Sequence, residues 1–208
     1  SGDWHQQVVT NISPYLFEGS NLAVISRSDP LVKSCVLMKG SQPTDGGALL
    51  LTTEERDELI SREPASERWI RRIYGSTEFI NSKDRWCLWL VGAEERELRS
   101  MPAVMERLRR VEEMRLDSPK QQTRELAETP HLFSEIRQPN KGQYILVPSH
   151  SASSRDYVPI GLMDNSVIAT NALLIMPGGG LYEFGVINSI IHNDWLRVVG
   201  GRIKSDYR

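Results

Sequence analysis

An α+β fold is predicted: a helical middle lies between β-rich ends, and a long amphipathic helix packs on a small sheet. Three observations predict it. Residues 101–115 repeat apolar side chains at the helical period. Residues 144–176 break instead into short apolar, partly β-branched runs. Strand-like and helix-like runs never alternate regularly, which argues against a parallel βαβ sheet. The chain has 208 residues, enough to bury a sizeable core. We read residues 1–208 as a single domain.

Each element has its own signal. Leu22-Ala23-Val24-Ile25, bounded by Gly19-Ser20-Asn21 and Ser26, reads as a strand. Residues 40–47 hold Pro43 and three glycines and read as a loop. Thr52 and Glu55 form a capping-box pattern that opens a helix through about Ser61. Pro64 ends it, and a second short helix is expected from Ser66 to Arg72. Arg85 to Val91, rich in Trp, is expected to be a buried strand around Cys87.

Ser100-Met101-Pro102 starts the main helix, since proline is tolerated in a first turn. Met101, Val104, Met105, Leu108, Val111 and Arg115 follow its buried stripe. A further helix over 120–129 ends at Pro130. Strands are expected at Tyr144–Pro148, Tyr157–Leu162, Val167–Ala169 and Leu173–Met176. Gly178-Gly179-Gly180 then turns the chain. Leu181–Val199 is predicted as one long helix burying Phe184, Ile187, Ile191, Trp195 and Val198, with Gly200-Gly201 stopping it.

Composition and motifs narrow the functions. Net charge is −2, so the chain is not a uniformly basic nucleic-acid coat. The charge is uneven, however. Residues 195–208 hold Arg197, Arg202, Lys204 and Arg208 against Asp206 alone, a local grip for a polyanion. Two cysteines, Cys35 and Cys87, make no disulfide framework, which places the chain in a reducing cytoplasm. No apolar run is long enough to span a bilayer. The histidines His5, His131, His150 and His192 have no ligand spacing with the cysteines, so no metal is expected. No catalytic residue and no cofactor site can be assembled. The triple glycine lacks the Lys-Ser/Thr of a phosphate loop, and neither a G-x-G-x-x-G nor an Asn-Pro-Pro-Tyr type motif occurs. Ser151 or Ser153 beside His150 lacks the G-x-S-x-G elbow of a hydrolase.

The last seven residues carry the strongest functional pattern. Residues 202, 204, 206 and 208 are charged, and on one extended strand they would share a face. Lys and Arg donate to the major-groove acceptors of guanine, and Asp accepts from the cytosine amine. Lys204 with Asp206 could thus read both halves of one G·C pair. The other reading is a solvated edge strand whose charges prevent aggregation.

Three co-linear strings bear on that choice. They are Gly75–Ile80 with Arg85–Leu90, then Val147–Ser149 through Ser153–Gly161, and last Tyr182–Val186 with His192, Trp195 and Val199–Arg208. Together they resemble the target-recognition region of MmeI-like, type IIL restriction–modification enzymes. These are single-chain bacterial adenine-specific DNA methyltransferases, many fused to a nuclease. The resemblance implies double-stranded DNA as partner and a methyltransferase core in the same parent chain. It implies S-adenosylmethionine as the parent's cofactor, with none in this segment. It further implies base reading by Lys204, Asp206 and Arg208, with a second set at Asn171, Ala172 and Ser149. Ser153, Ser154, Arg155 and Arg202 would contact the DNA backbone or serve as scaffold. Ser1-Gly2 and the end at Arg208 read as the ends of a segment excised from a longer chain. The competing function is a protein–protein adaptor using the helical faces of 100–118 and 181–199.

Overall fold

The computed structural model describes residues 6–25, 27, 36–203, 206 and 207, with backbone only for 202 and 203. The predicted α+β class is what it has. Two four-stranded sheets share the chain with a helical layer. The first sheet runs β1 (Met38–Lys39), β8 (Leu173–Pro177), β5 (Gln143–Pro148) and β6 (Gly161–Asp164), all antiparallel neighbours. The second runs β2 (Leu50–Leu51), β4 (Trp86–Leu88), β3 (Ile70–Tyr74) and β7 (Ile168–Ala169), with β3 and β7 parallel. Strands β7 and β8 belong to different sheets. Residues 170–172 therefore form the seam between the sheets.

The helical layer packs on the second sheet. Helix α1 (Thr53–Arg62) begins with the predicted capping box: Glu55 N donates to Thr52 Oγ1 at 3.2 Å, and Thr52 N to Glu55 Oε2 at 2.9 Å. Short helices α3 (Glu95–Arg99) and α5 (Gln121–Glu125) flank the main helix α4 (Pro102–Leu116), while α2 (Ser76–Ile80) lies beside β3. Met101, Val104, Leu108 and Val111 are buried with Leu49, Leu88 and Ile168 in the largest core. The first turn of α4 is capped from elsewhere. Glu63 accepts from Ala103 N at 2.5 Å and Val104 N at 3.1 Å, placing a carboxylate at the positive end of the helix.

Arg115 ends the buried stripe of α4 with no exposure at all. Its guanidinium donates to five carbonyls: Pro43, Thr44, Leu126, Thr129 and Leu132, at 2.7–3.1 Å. All five of its N–H donors are thereby satisfied. Burial lowers its pKa, and the buried carboxylate of Asp45 opposes that shift. Burial pushes the Cys87 thiol far up, so it packs as an apolar side chain.

Several expectations are corrected. Residues 21–25 form no strand, and Leu22 and Ile25 are exposed. Residues 64–69 are a 3₁₀ turn, and Ile70–Tyr74 is strand β3 rather than the end of a helix. Ile70 and Ile73 are both buried, a spacing of three that imitates a helix. Residues 157–160 are irregular, and β6 starts at Gly161.

The largest corrections lie at the C-terminal end. The helix predicted over 181–199 is two helices, α6 (Leu181–Ile187) and α7 (Ile190–Val199). Ser189 caps α7 by accepting from His192 N at 3.2 Å. Phe184 and Ile187 pack against Ile145, Val147 and Met176, but Ile191 is 79% exposed and Trp195 54%. Asn193 is the residue of α7 that turns inward, at 2% exposure. Residues 202–208 are not one extended strand either. Arg202–Ile203 (β9) and Asp206–Tyr207 (β10) pair antiparallel, with Asp206 opposite Ile203 and Tyr207 opposite Arg202. Lys204 and Arg208, on which the expected shared face also depends, lie outside the described residues.

Candidate nucleic-acid interface

The seam is built by short backbone contacts. Thr170 N donates to Tyr74 O at 2.9 Å, Asn171 N to Ser41 O at 2.9 Å, and Ser41 N to Ala169 O at 2.8 Å. Gly40 makes this closeness possible. A Cβ there would sit 2.4 Å from Thr170 O and 2.5 Å from Ala169 O. On the other flank, Ala172 O accepts from Ser76 Oγ at 2.8 Å and from Ser149 N at 3.3 Å. The strand end at Ser149 leads to Ser151, which bridges to Tyr207: Ser151 N to Tyr207 O is 3.1 Å, and Tyr207 N to Ser151 O is 2.9 Å.

These bonds lay five segments side by side: 40–42, 74–76, 170–172, 149–151 and 206–207. Ala172 is exposed, and Asn171 and Asp206 are half-buried. A cleft of about 270 Å³ adjoins them, lined by Gly75, Ser76, Thr77, Arg85, Thr170 and Ala172 among others. Helix α7 buttresses the same ridge with its polar side. Val158 N donates to Asn193 Oδ1 at 2.9 Å, and Arg197 Nη2 reaches the carbonyls of Arg155 and Asp156.

The sequence-predicted residues fall into three groups. Ser149, Asn171, Ala172 and Asp206 lie along the ridge. Ser153, Ser154 and Arg155 are exposed in the loop beside it. Lys204 and Arg208 lie outside the described residues, and of Arg202 only the backbone is described. The hydroxyls of Ser149 and Ser151 are turned inward and meet no hydrogen-bond partner among the described residues. No hydrogen bond joins His150 to a serine among those residues, so the hydrolase arrangement is not formed. Among the described residues no three His, Cys, Asp or Glu converge to hold a metal, and no helix is long and apolar enough to cross a membrane. Ser76 and Tyr207 belong to the ridge and lie in the strings of the resemblance, without an assigned role, whereas Gln42 belongs to the ridge but carried no signal in sequence. Gln42 stands 129 positions from Asn171, its hydrogen-bond partner.

A family model described as MmeI, target recognition domain, matches residues 18–208. The chain belongs to the MmeI target recognition domain family. It is 36% identical over 206 residues to DNA methyltransferase A of Bacillus subtilis (strain 168), covering 99% of this chain and 23% of that protein. It also resembles the solved structure of the type IIL restriction–modification enzyme MmeI in complex with DNA. There the TM-score is 0.87 at 43% identity, over 96% of this chain and 27% of that one. The chain thus spans about a quarter of the length of each. None of these relatives is a protein–protein adaptor by description. Within an MmeI-type recognition domain, a ridge of short polar groups and one exposed methyl is chemically suited to base edges, which present donors, acceptors and the thymine methyl.

Proposed function

We propose that this chain is a sequence-specific, double-stranded DNA recognition module. It serves an adenine-specific, S-adenosylmethionine-dependent methyltransferase carried on the same longer polypeptide, working in a bacterial cytoplasm. The observation that carries this reading is the convergence at the sheet seam. Ser149 bonds Ala172 through the backbone, Gln42 bonds Asn171 through its side chain, and Tyr207, next to Asp206, bonds Ser151, in a family of target recognition domains.

The roles follow from side-chain chemistry. Asp206 accepts, which suits the cytosine amine and repels the guanine acceptors. Asn171 offers a donor and an acceptor on one amide, the complement of adenine, and the Ala172 methyl beside it suits the thymine methyl. Ser149 acts through its backbone N–H, which holds Ala172 O. Ser153, Ser154, Arg155 and Arg202 grip phosphates or brace the loop. Lys204 and Arg208 keep the guanine-reading role that the family resemblance implies.

The test is a salt titration. Duplex binding followed by fluorescence anisotropy should weaken steeply as salt rises. Arg155→Ala should reduce the salt slope by about one and weaken all duplex sequences about equally. Binding that is insensitive to salt, or equal for a neutral polymer, contradicts the reading.

A further inference from the structure

Asn171 can discriminate only if its amide is held one way round. Rotation by half a turn exchanges oxygen for nitrogen and so exchanges acceptor for donor. Its Nδ2 donates to Gln42 Oε1 at 3.3 Å. Gln42 has the same ambiguity, so it fixes Asn171 only if it is fixed itself.

A closed circuit of hydroxyls does that. Gln42 Nε2 donates to Thr44 Oγ1 at 3.2 Å, Thr44 Oγ1 lies 2.7 Å from Ser134 Oγ, and Ser134 Oγ donates to Gln42 O at 3.0 Å. A serine hydroxyl has one proton. With that proton on Gln42 O, Ser134 must accept from Thr44. Thr44, having given its proton to Ser134, must accept from Gln42 Nε2. Every proton in the ring then has one direction, and Gln42 presents its oxygen to Asn171. Thr44 is itself held in place. Its backbone is left-handed, at φ 45°, which a β-branched residue rarely adopts, and its carbonyl accepts from buried Arg115 Nε at 2.9 Å.

We propose that Gln42, Thr44 and Ser134 form a polarity relay that sets Asn171 to read adenine. One Asn171 N–H is committed to Gln42. Its oxygen and second N–H remain for N6 and N7 of adenine. Guanine places a second acceptor, O6, where the amide oxygen sits, and is rejected. Thr44 and Ser134 are positioning residues: they act on base choice through Gln42. The inference rests on the DNA-recognition function and on Asn171 as a reader of bases.

The test is enrichment from a randomised duplex library by the chain and its variants, with folding checked by circular dichroism. The unaltered chain should enrich a motif with adenine at one position, and Asn171→Ala should lose that preference. Thr44→Val and Ser134→Ala should each relax adenine over guanine at that position by at least about fivefold, leaving other positions unchanged. Thr44→Ser, which keeps the hydroxyl, should retain the preference. Ser134→Ala leaves the left-handed backbone at Thr44 untouched, so it decides the matter if Thr44→Val fails to fold. Intact adenine preference in folded Ser134→Ala, beside its loss in Asn171→Ala, overturns the relay alone. An unchanged motif in Asn171→Ala overturns the reading role of Asn171 and the relay with it. No enriched motif from the unaltered chain overturns the DNA-recognition function.

Discussion

Helices α4 and α7 carry the same signal in sequence and use it in opposite ways. Both repeat apolar residues at the helical period. In α4 the stripe Val104, Leu108 and Val111 is buried in one core with Leu59 of α1, Leu98 of α3 and the second sheet. In α7 the stripe Ile191, Trp195 and Val198 faces outward, and the helix docks through Asn193 and Arg197. Periodicity fixes which residues share a face of a helix. It does not say whether that face finds a partner within the chain, because the partner is supplied by distant segments. The polar side of α7 is held because Asn193 satisfies Val158 N, Ser189 O and Ile187 O at once.

The contrast predicts an order of mutational effects. Arg115→Leu should cost most, about 3–5 kcal/mol. It removes hydrogen bonds to five carbonyls at the end of α4 and the positive charge that acts on buried Asp45. Leu108→Ala should cost about 2–4 kcal/mol as a cavity in the same stripe. On α7 the ranking inverts. Asn193→Ala should cost about 1–3 kcal/mol by stranding the Val158 amide, whereas Trp195→Ala should cost less than about 0.5–1 kcal/mol. Urea denaturation of the four variants measures the series. A Trp195→Ala loss equal to that of Leu108→Ala would erase the distinction between the helices.

The smallest effect is one of pH. His131 sits beside the Arg115 hub, and burial, aided by the Arg115 charge, holds its pKa below the usual histidine range. A depressed folded value means that the unfolded chain binds the proton more readily. The stability tied to neutral His131 is complete above about pH 6.5 and is lost as pH falls through the folded value. His131→Gln should flatten the acid side of the stability curve. An unchanged acid limb would remove His131 from the hub's electrostatics.

What was legible in sequence was local. The Thr52–Glu55 capping box lies within four residues, and the α4 stripe and strands β5 and β8 are continuous apolar patterns. What was not legible depends on distant partners. The Glu63 cap on α4 comes from 40 residues away. Strand β3 owes its conformation to β4 and β7, which no local spacing reveals. The charge alternation of 202–208 reads the same whether the chain is straight or doubled back, so the antiparallel pairing of β9 with β10 was hidden in it. The candidate site divides the same way. Asn171, Ala172 and Ser149 came from family resemblance, and Asp206 from the charge alternation of the last seven residues as well. Gln42, Thr44 and Ser134 emerged only when the seam brought distant loops together.

Hydrogen–deuterium exchange with and without a saturating duplex compares the two surfaces directly. Bases read at the seam predict slower exchange in peptides spanning 149–157, 170–172 and 206–207, with the outward face of α7, residues 190–198, unchanged. Protection confined to 190–198, with the seam peptides exchanging as in the free protein, would place the DNA on the apolar helix face and contradict a reading site at the seam.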